Sequence, residues 1–355
     1  MRLLHITATH MNTNGGIPIV LKRLIEEQNK IENVTSRLLV LKSGEFQINS
    51  EYFDYLIENN LKNYIIEYNP DIVILHSFYH IEYIYVYILL NQLKKKYYIQ
   101  PHGSFVKKSF KKSFFKKKIA NMTIFKKLIK NSWGYIYLSK SEYDSSLYHK
   151  AHDIIIPNGV DRIESNGLIS EDRYIHFYYI GRYDIKEKGI DVLKCALEKL
   201  DSIEESIVFD FYGSGNVNQI DFVNKINKNL KNIKVINHGP IYGDDKNREL
   251  KNKGINVLLS KHEGMPMTIL EGWAFGNPCI VTMESNVSEF IKECPSIGRI
   301  VKSQPDAVAN VMKKVIKDYK NNHYEIRNEC LDYVEKNFGW NSIAKKSILL
   351  LKNNI

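Results

Sequence analysis

One stretch, residues 255–282 (INVLLSKHEGMPMTILEGWAFGNPCIVT), limits the possible folds more than any other part of the chain. Its apolar run at 255–259 is typical of a buried strand. A helix is predicted at 267–275, because a glycine and a proline follow and end it. A second short apolar strand is predicted at 279–281. The order strand, loop, helix, strand indicates a parallel α/β sheet.

The polar residues of this stretch fall where such sheets bind ligands. Glu263 lies in the loop after the first strand, at the carboxyl edge of the sheet, and Gly264 allows close approach of the backbone to a ligand. The N-terminus of the following helix suits a phosphate group, and Glu271 lies on that helix. Two carboxylates beside a phosphate site suggest a nucleotide sugar. Taken alone, however, two glutamates are more simply explained as surface charges.

The whole string decides between these interpretations. From Glu263 it reads E-G-M-P-M-T-I-L-E-G-W-A-F-G-N-P-C-I-V, with Gly272 where an alanine is usual. It resembles the E-x7-E motif of retaining glycosyltransferases of the GT-B fold, family 4 (glycosyl transferases group 1), of the bacterial surface-polysaccharide type. The resemblance implies that Glu263 bonds sugar hydroxyls and that Glu271 accepts both ribose hydroxyls. The donor contacts that it implies in this string are Glu263, Gly264, Met265, Pro266, Met267, Thr268 and Glu271.

A second string, G-R-Y-D-I-K-E-K-G-I-D at 181–191, is similar to the G-R-x5-K-G-x-D element of the same family. The resemblance implies that Arg182 and Lys188 flank the donor diphosphate. Fixed cations there stabilise the charge of the leaving group, as a metal ion otherwise does. An isolated arginine and lysine would more simply be solvated surface charges.

Three shorter features are weak alone and gain weight from the resemblance. Gly213 and Gly215 form a turn after a predicted strand, and His238 precedes a glycine in a turn that the family places near the base. In the first half, Gly15 and Gly16 form a loop that resembles the family's glycine-rich loop near the donor phosphate, although an ordinary turn has the same composition.

His102 follows a predicted strand in the sequence P-H-G. A single histidine is more often structural than functional. The pair His102-Gly103 resembles the family's N-domain histidine, however, which implies contact with the transferred sugar and support of the transition state, without a nucleophilic role.

Strands and helices alternate through both halves of the chain. Further strands are predicted at 3–7, 37–41, 71–76, 97–100, 133–138, 152–156, 174–180, 208–212 and 233–237. The sequence P-N-G-V-D at 157–161 resembles the family's entry to its second domain. The predicted fold is therefore α/β of the GT-B type, two Rossmann-like domains with parallel sheets facing a central cleft. Its predicted parts are an acceptor-binding domain at 1–162, a nucleotide-sugar-binding domain at 172–336 and a helix at 337–355 that crosses back.

Positive charge is concentrated in one segment. Residues 94–130 contain thirteen lysines and no acidic residue, so the net charge of +10 leaves about −3 for the rest of the chain. Aromatic and aliphatic residues alternate with lysines at 105–130, which favours binding to an anionic membrane surface and a lipid-linked acceptor. A solvated helix face with core contacts is the simpler alternative. Nucleic-acid binding is not expected, because no RNA- or DNA-binding signature is present.

Composition narrows the setting. No apolar run approaches the ~20 residues of a membrane helix, and the first residues, MRLLHIT, lead into a strand without a secretory signal. The four cysteines are scattered without metal-ligand spacing. We therefore expect a cytoplasmic protein, peripheral on the inner face of the cell membrane.

The predicted activity is that of a retaining, metal-independent hexosyltransferase. It moves a sugar from a nucleotide-diphosphate donor to an acceptor hydroxyl, a saccharide or lipid-linked saccharide of capsule, lipopolysaccharide or exopolysaccharide synthesis, without cofactor or metal. The residues expected to take part in catalysis are His102, Glu263, Arg182 and Lys188. Two alternatives remain: a GT-B-fold nucleotide-sugar epimerase, and a non-catalytic basic protein that binds membranes or nucleic acid.

Overall fold

The computed structural model describes residues 1–11, 16–42, 48–56, 60–107, 124–161, 174–251 and 253–354. The chain divides into two compact units. The first unit consists of Met1–Gly159 and Trp340–Ile355, and the second is Val160–Gly339. Each unit contains one parallel sheet with helices on both sides, which confirms the predicted pair of Rossmann-like domains.

In the described part of the first unit, seven parallel strands form a sheet of order β3-β2-β1-β4-β5-β6-β7. The strands are β1 Arg2–Thr7, β2 Thr35–Val40, β3 Phe53–Tyr55, β4 Ile72–His76, β5 Tyr97–Gln100, β6 Gly134–Tyr137 and β7 Ile154–Ile155. Of these strands, only β3 was not predicted from the sequence. The helices from the first part of the chain are α1 Gly16–Asn29, α2 Leu61–Tyr68, α3 Glu82–Gln92, α4 Ile124–Asn131 and α5 Lys140–Ser145.

The sheet of the second unit has the order β10-β9-β8-β11-β12-β13, and its strand pairs are also parallel. The strands are β8 Ile175–Ile180, β9 Ile207–Tyr212, β10 Ile233–Gly239, β11 Ile255–Leu258, β12 Cys279–Thr282 and β13 Gly298–Val301. The sequence did not predict β13. The helices are α6 Ile190–Leu200, α7 Val217–Lys225, α8 Gly243–Lys251, α9 Met267–Ala274, α10 Ser288–Glu293 and α11 Pro305–Phe338. Asn322 has non-helical backbone angles and interrupts α11.

The last helix, α12 Trp340–Asn353, belongs to the first unit and packs against α1. Trp340 is 5% exposed, and its ring lies so close to Gly159 that an added Cβ there would be 2.4 Å from the ring. A glycine is therefore required where the chain meets this ring.

Both sheets reverse their direction of growth at one point. In the first unit the reversal lies between β1 and β4, and in the second between β8 and β11. Loops at the carboxyl ends of such neighbouring strands diverge and leave a crevice, which is where open α/β sheets bind ligands.

Residues 108–123 of the lysine-rich segment lie outside the described residues. At its two described ends, the apolar side chains serve the core of the first unit rather than a surface: the buried ones are Phe105, Val106, Phe125, Leu128 and Ile129. The lysines of α4 are exposed, namely Lys126, Lys127 and Lys130. This part of the segment therefore follows the simpler alternative, a solvated helix face with core contacts. Among the helices that the structure describes, none combines the length and apolar character needed to cross a bilayer.

Candidate functional site

Two loops meet at the reversal point of the second unit. One follows β8 and contains Gly189, whose φ of +67° and whose closeness to the Leu259 carbonyl exclude a side chain: an added Cβ would lie 2.5 Å from that oxygen. The other follows β11, and its Lys261 N–H donates to the Glu187 carbonyl at 2.8 Å. The backbones of the two predicted motifs are therefore held in contact.

A charged pair joins the same two loops. Lys188 Nζ lies 2.5 Å from Glu263 Oε1, and both side chains are mostly buried, with 18% and 15% exposed. Ser260 Oγ donates to the same Oε1 at 2.6 Å, and Asn286 Nδ2 donates to the Glu263 carbonyl at 2.6 Å. The structure therefore brings two of the predicted catalytic residues together. Within the described residues, Glu263 Oε2 has no hydrogen-bond partner in the protein.

Arg182 has a fixed backbone and an open side chain. Its carbonyl accepts hydrogen bonds from the Tyr179 hydroxyl at 2.6 Å and from the Asp184 N–H at 2.9 Å. The residue itself is exposed, and no ion pair or hydrogen bond of its guanidinium is found in the described part of the chain. Glu263 offsets the charge of Lys188, whereas the charge of the exposed Arg182 side chain is available to an anion.

Helix α9 begins directly after the charged loop. Pro266 is its N-cap residue, no side chain caps its first amides, and its first turn contains no acidic residue. Buried Asn256 supports this turn by donating from Nδ2 to the Thr268 carbonyl at 2.9 Å. Uncapped amides at a helix N-terminus attract anions, and phosphate binding at this position stays a prediction.

Glu271 also has a lysine partner, which the sequence did not predict. Its Oε1 lies 2.7 Å from Lys246 Nζ of α8, and the two side chains are 17% and 19% exposed. At the neighbouring position 272 there is little room for a side chain, because a Cβ added to Gly272 would lie 2.9 Å from the Tyr178 hydroxyl. The buried Tyr178 therefore accounts for glycine at this position, where the family usually has alanine.

The predicted glycine turn packs against the loop that carries Arg182. An added Cβ at Gly213 would lie 1.9 Å from the Gly181 carbonyl oxygen, and one at Gly215 would lie 2.7 Å from Gln219 Oε1. Packing between loops is thus sufficient to explain Gly213, and the contact of both glycines with a nucleotide stays a prediction. Gly16 is exposed at the start of α1, whereas Gly15 lies outside the described residues.

His238 belongs to a buried charge cluster. Asp210, 1% exposed, accepts from His238 Nε2 at 2.6 Å, from His176 Nδ1 at 3.1 Å and from Lys253 Nζ at 2.9 Å. Burial raises the pKa of Asp210, but these three donors outweigh it and lower the pKa to about 2. The His238 ring stacks on Tyr212, with centroids 4.6 Å apart. Its Nε2 is therefore engaged within the protein, and the predicted closeness to the base stays a prediction.

In the first unit, His102 lies in a turn held by a buried carboxylate. His102 is half-buried with φ +47°, and Gly103 follows with φ +81°. Glu142 of α5 is fully buried and accepts from the Gly103 N–H at 2.5 Å and from the Leu138 N–H at 2.7 Å. Burial raises the pKa of Glu142 to about 7, although both N–H groups oppose the shift.

His102 is also the end of a row of three histidines. Its Nε2 lies 3.3 Å from His76 Nδ1, and His76 Nε2 lies 2.8 Å from His5 Nδ1. Burial lowers the pKa of His5 and of His102 to about 4 and the pKa of His76 well below its usual value. All three rings are therefore neutral near pH 7.

Sequence reasoning missed several of these residues. A polar residue inside an apolar strand is the signal that would have found some of them: His5 in RLLHIT, His76 in IVILH, Asp210 in IVFDFY and Asn256 in INVL. Lys246 has no such signal, because a lysine on a polar helix is unremarkable in sequence. In the part of the chain that the structure describes, no three His, Cys, Asp or Glu side chains are grouped so as to hold a metal ion.

Comparisons with known proteins agree with this geometry. Residues 161–332, just under half of the chain, match the model of the family Glycosyl transferases group 1. Two Methanocaldococcus jannaschii proteins, both named as uncharacterized glycosyltransferases, are similar in sequence. MJ1607 is 27% identical over 190 residues, which are 53% of this chain and 47% of that protein. MJ1178 is 26% identical over 303 residues, 78% of each.

The fold resembles that of a solved structure described as Anabaena Alr3699/HepE in complex with UDP and glucose. The TM-score is 0.74 at 14% identity, over 99% of this chain and 100% of the other. With the two parallel sheets, this likeness confirms the predicted GT-B fold class. Together, the comparisons support a glycosyltransferase of the GT-B fold, with a group 1 domain at residues 161–332.

Proposed function

We propose that this chain is a retaining, metal-independent glycosyltransferase that moves a sugar from a nucleotide-diphosphate donor to an acceptor hydroxyl. One observation carries the proposal. Lys188 and Glu263 form a mostly buried pair at the reversal point of the second sheet, and the exposed Arg182 side chain belongs to the same loop as Lys188. Cation and carboxylate side by side suit a ligand that carries both phosphates and hydroxyls.

The proposed roles follow from this arrangement. Arg182 and Lys188 bind the donor diphosphate, Glu263 holds sugar hydroxyls through its open Oε2, and Glu271 accepts the ribose hydroxyls. As the bond from the anomeric carbon to the diphosphate oxygen breaks, charge on the leaving group grows, and the fixed cations stabilise it. The acceptor oxygen attacks from the same face, and its proton passes to the departing phosphate. No covalent intermediate with the protein is involved.

In this proposal the two units bind different substrates. The second unit binds the donor, which the match of residues 161–332 to the group 1 family supports. Similarity to a protein solved with UDP and glucose supports a nucleotide sugar as the ligand. The first unit binds the acceptor. The role predicted for His102, contact with the transferred sugar, stays a prediction.

The proposed acceptor is a lipid-linked saccharide of surface polysaccharide synthesis. The concentration of thirteen lysines at 94–130 supports attraction to an anionic leaflet, where each lysine contributes up to about 1 kcal/mol. Vesicles of phosphatidylglycerol and of phosphatidylcholine test this. We expect salt-sensitive binding to the anionic vesicles alone, whereas equal binding to both, or to neither, would contradict a charge-driven membrane contact.

A thermal-shift screen against UDP, GDP, ADP and dTDP, with and without EDTA, tests the donor site. A nucleotide at about 100 times its Kd adds about 2.7 kcal/mol to the free energy of unfolding. We expect one diphosphate to stabilise the protein and EDTA to leave the effect unchanged. Absence of a shift with all four would contradict the donor site, and a shift lost in EDTA would contradict metal independence.

The identified donor then allows the reaction itself to be tested. NMR of the product should show the same anomeric configuration as the donor sugar. An inverted product would exclude the retaining mechanism. Conversion of the donor sugar to its epimer without any acceptor would favour the epimerase alternative.

A further inference from the structure

The hydrogen bonds of the three-histidine row continue beyond His5 to two helices of the first unit. His5 Nε2 lies 3.0 Å from Gln28 Oε1 on α1, and Gln28 Nε2 lies 3.0 Å from Ser347 Oγ on α12. The Ser347 hydroxyl in turn donates to the Ala344 carbonyl at 2.7 Å. An unbroken series of hydrogen bonds thus joins the last helix of the chain to His102. Its inner members are buried, with His5, His76, Gln28 and Ser347 each 1% exposed.

Ser347 determines the orientation of the Gln28 amide. A hydroxyl has one proton, and the proton of Ser347 is used on the Ala344 carbonyl, so toward Gln28 the Ser347 oxygen accepts. The amide therefore turns its NH2 group to Ser347 and its oxygen to His5. The hydroxyl of Ser36 supports this orientation, because it donates to the same amide oxygen at 2.7 Å.

The orientation of Gln28 then fixes the tautomer of each ring in turn. The amide oxygen only accepts, so His5 must carry its proton on Nε2. Its bare Nδ1 accepts from His76 Nε2–H, and the bare Nδ1 of His76 accepts from His102 Nε2–H. A neutral imidazole has one N–H, so His102 is left with an unprotonated Nδ1. Among the described residues, nothing in the protein donates to that nitrogen.

We propose that the Ala344 carbonyl sets the tautomer of His102 through this series, so that His102 presents Nδ1 as a hydrogen-bond acceptor to a ligand hydroxyl. Ser347, Gln28, His5 and His76 are then positioning residues. A ligand group that only accepts hydrogen bonds, such as a carbonyl or phosphate oxygen, is disfavoured at Nδ1. The inference does not rest on the proposed donor site, because every residue of the series belongs to the first unit.

The tautomer is directly measurable by long-range proton–nitrogen NMR of protein labelled with 15N-histidine. The chain has eleven histidines, and loss of one set of signals in His102→Gln identifies those of His102. We expect, at pH 7, a bare Nδ1 and a protonated Nε2. The opposite tautomer, or a doubly protonated ring, would overturn the inference.

Ser347→Ala tests whether Ser347 fixes the orientation of Gln28 and therefore the single tautomer of His102. Without the hydroxyl, either orientation of the Gln28 amide leaves one of its polar groups unsatisfied. The free-energy difference between the two orientations therefore becomes smaller and depends on the Ser36 hydroxyl. We expect His102 to change from one tautomer to a mixture of both. An unchanged single tautomer in Ser347→Ala would show that the order originates elsewhere and would overturn the assignment of Ala344 and Ser347.

Ser132→Ala is the matched control. Ser132 is 5% exposed and donates to the carbonyl three residues earlier, at Ile129, as Ser347 does to Ala344, but it has no bond to the histidine row. We expect this variant to lose similar thermal stability while His102 keeps one tautomer. A mixture of tautomers in both variants would indicate a general loosening of the unit and would count against the inference.

Discussion

Apart from the seventh strand of the first unit, the two sheets have the same strand order, but the chemistry at their reversal points differs. Between β1 and β4, the first unit places His5 and His76, neutral rings joined by hydrogen bonds. In the loops after β8 and β11, the second unit places Lys188 and Glu263, which form an ion pair. The fold therefore determines where a site lies, and the side chains determine what it binds.

Burial acts differently on the two kinds of group. In the first unit it lowers the pKa of each imidazole, and neutral rings satisfy one another without any charge. In the second unit, buried Asp210 stays ionised because two histidines and a lysine surround it, and burial alone would have raised its pKa. The difference is that charged groups need partners when buried, whereas neutral rings need only matching donors and acceptors.

The largest effect is expected from breaking the charged cluster of the second unit. Asp210→Ala removes the buried carboxylate that Lys253 and two histidines share, although Lys253 keeps a longer pair with Glu249 at 3.6 Å. This loss should lower the free energy of unfolding by about 3–5 kcal/mol. Denaturant unfolding measures this. Asp245→Ala is the control, because its pair with Arg248 is 71% exposed on both sides and such pairs contribute at most about 1 kcal/mol. Equal losses in the two variants would contradict the importance assigned to Asp210.

Acid sharpens the same contrast. The folded pKa of Asp210 is about 2, below the unfolded value of about 3.9, so its contribution is complete above pH 4 and is lost as pH falls toward 2. About 2 kcal/mol should disappear in this window. Stability measured from pH 5 to 2 should fall less steeply in Asp210→Asn than in the unmodified protein, and identical slopes would contradict the low pKa.

Removing the cations of the candidate donor site should reduce turnover rather than stability. For Arg182→Ala and Lys188→Ala we expect a loss of about 2–4 kcal/mol of transition-state stabilisation, by analogy with the loss of an oxyanion-hole donor. Steady-state kinetics with the identified donor measures it. Lys186→Ala is the control, an exposed lysine of the same loop. Near-normal turnover in both Arg182→Ala and Lys188→Ala would contradict the proposal that these residues bind the donor phosphates.

A smaller effect is expected at the second glutamate. Glu271→Ala should raise the donor KM about tenfold, because hydrogen bonds to charged groups contribute about 1.5–3 kcal/mol, while kcat changes less. Lys246→Ala leaves the Glu271 carboxylate without its partner and serves as the companion variant. A fall in kcat with unchanged KM for Glu271→Ala would move this residue into the chemical step.

The smallest expected change is the absence of a titration of His5 and His102. Because burial lowers the pKa of both rings to about 4, their signals should show no titration midpoint of their own between pH 8 and pH 5. Site-resolved NMR is needed, because a stability measurement would not separate these groups. As pH falls, the lowered pKa values of the histidines reduce the free energy of unfolding, whereas the pKa of Glu142, raised to about 7, increases it over an overlapping pH range. A midpoint near 6.5 for either ring would contradict the buried, neutral row.

Much of the fold was predictable from sequence, because apolar runs and their turn residues are local signals. The buried strands and the helix after β11 follow from the pattern of the residues themselves. The exceptions were β3 and β13, which are each an outer strand of the described sheet. Their existence depends on a neighbouring strand that supplies the hydrogen bonds, and this information is not local.

The candidate site was predictable only where two motifs coincide. Arg182, Lys188, Glu263 and Glu271 were identified from strings that resemble a known family, and the structure brings Lys188 and Glu263 into contact. Lys246, which pairs with Glu271, comes from another helix and has no motif of its own. Pairing between residues far apart in the chain needs the packed structure.

By itself, the sequence determined two parallel α/β units and the loops that carry the charged residues, since strand periodicity and turn chemistry are properties of neighbouring residues. Only the tertiary structure decided which charges are paired, which histidine nitrogen is bare and which glycines have no room for a side chain. Each of these depends on atoms from distant segments: Ser347 and His102, for example, lie at opposite ends of one series of hydrogen bonds. Burial and bond direction are set by the whole packed unit, and no short stretch of sequence contains them.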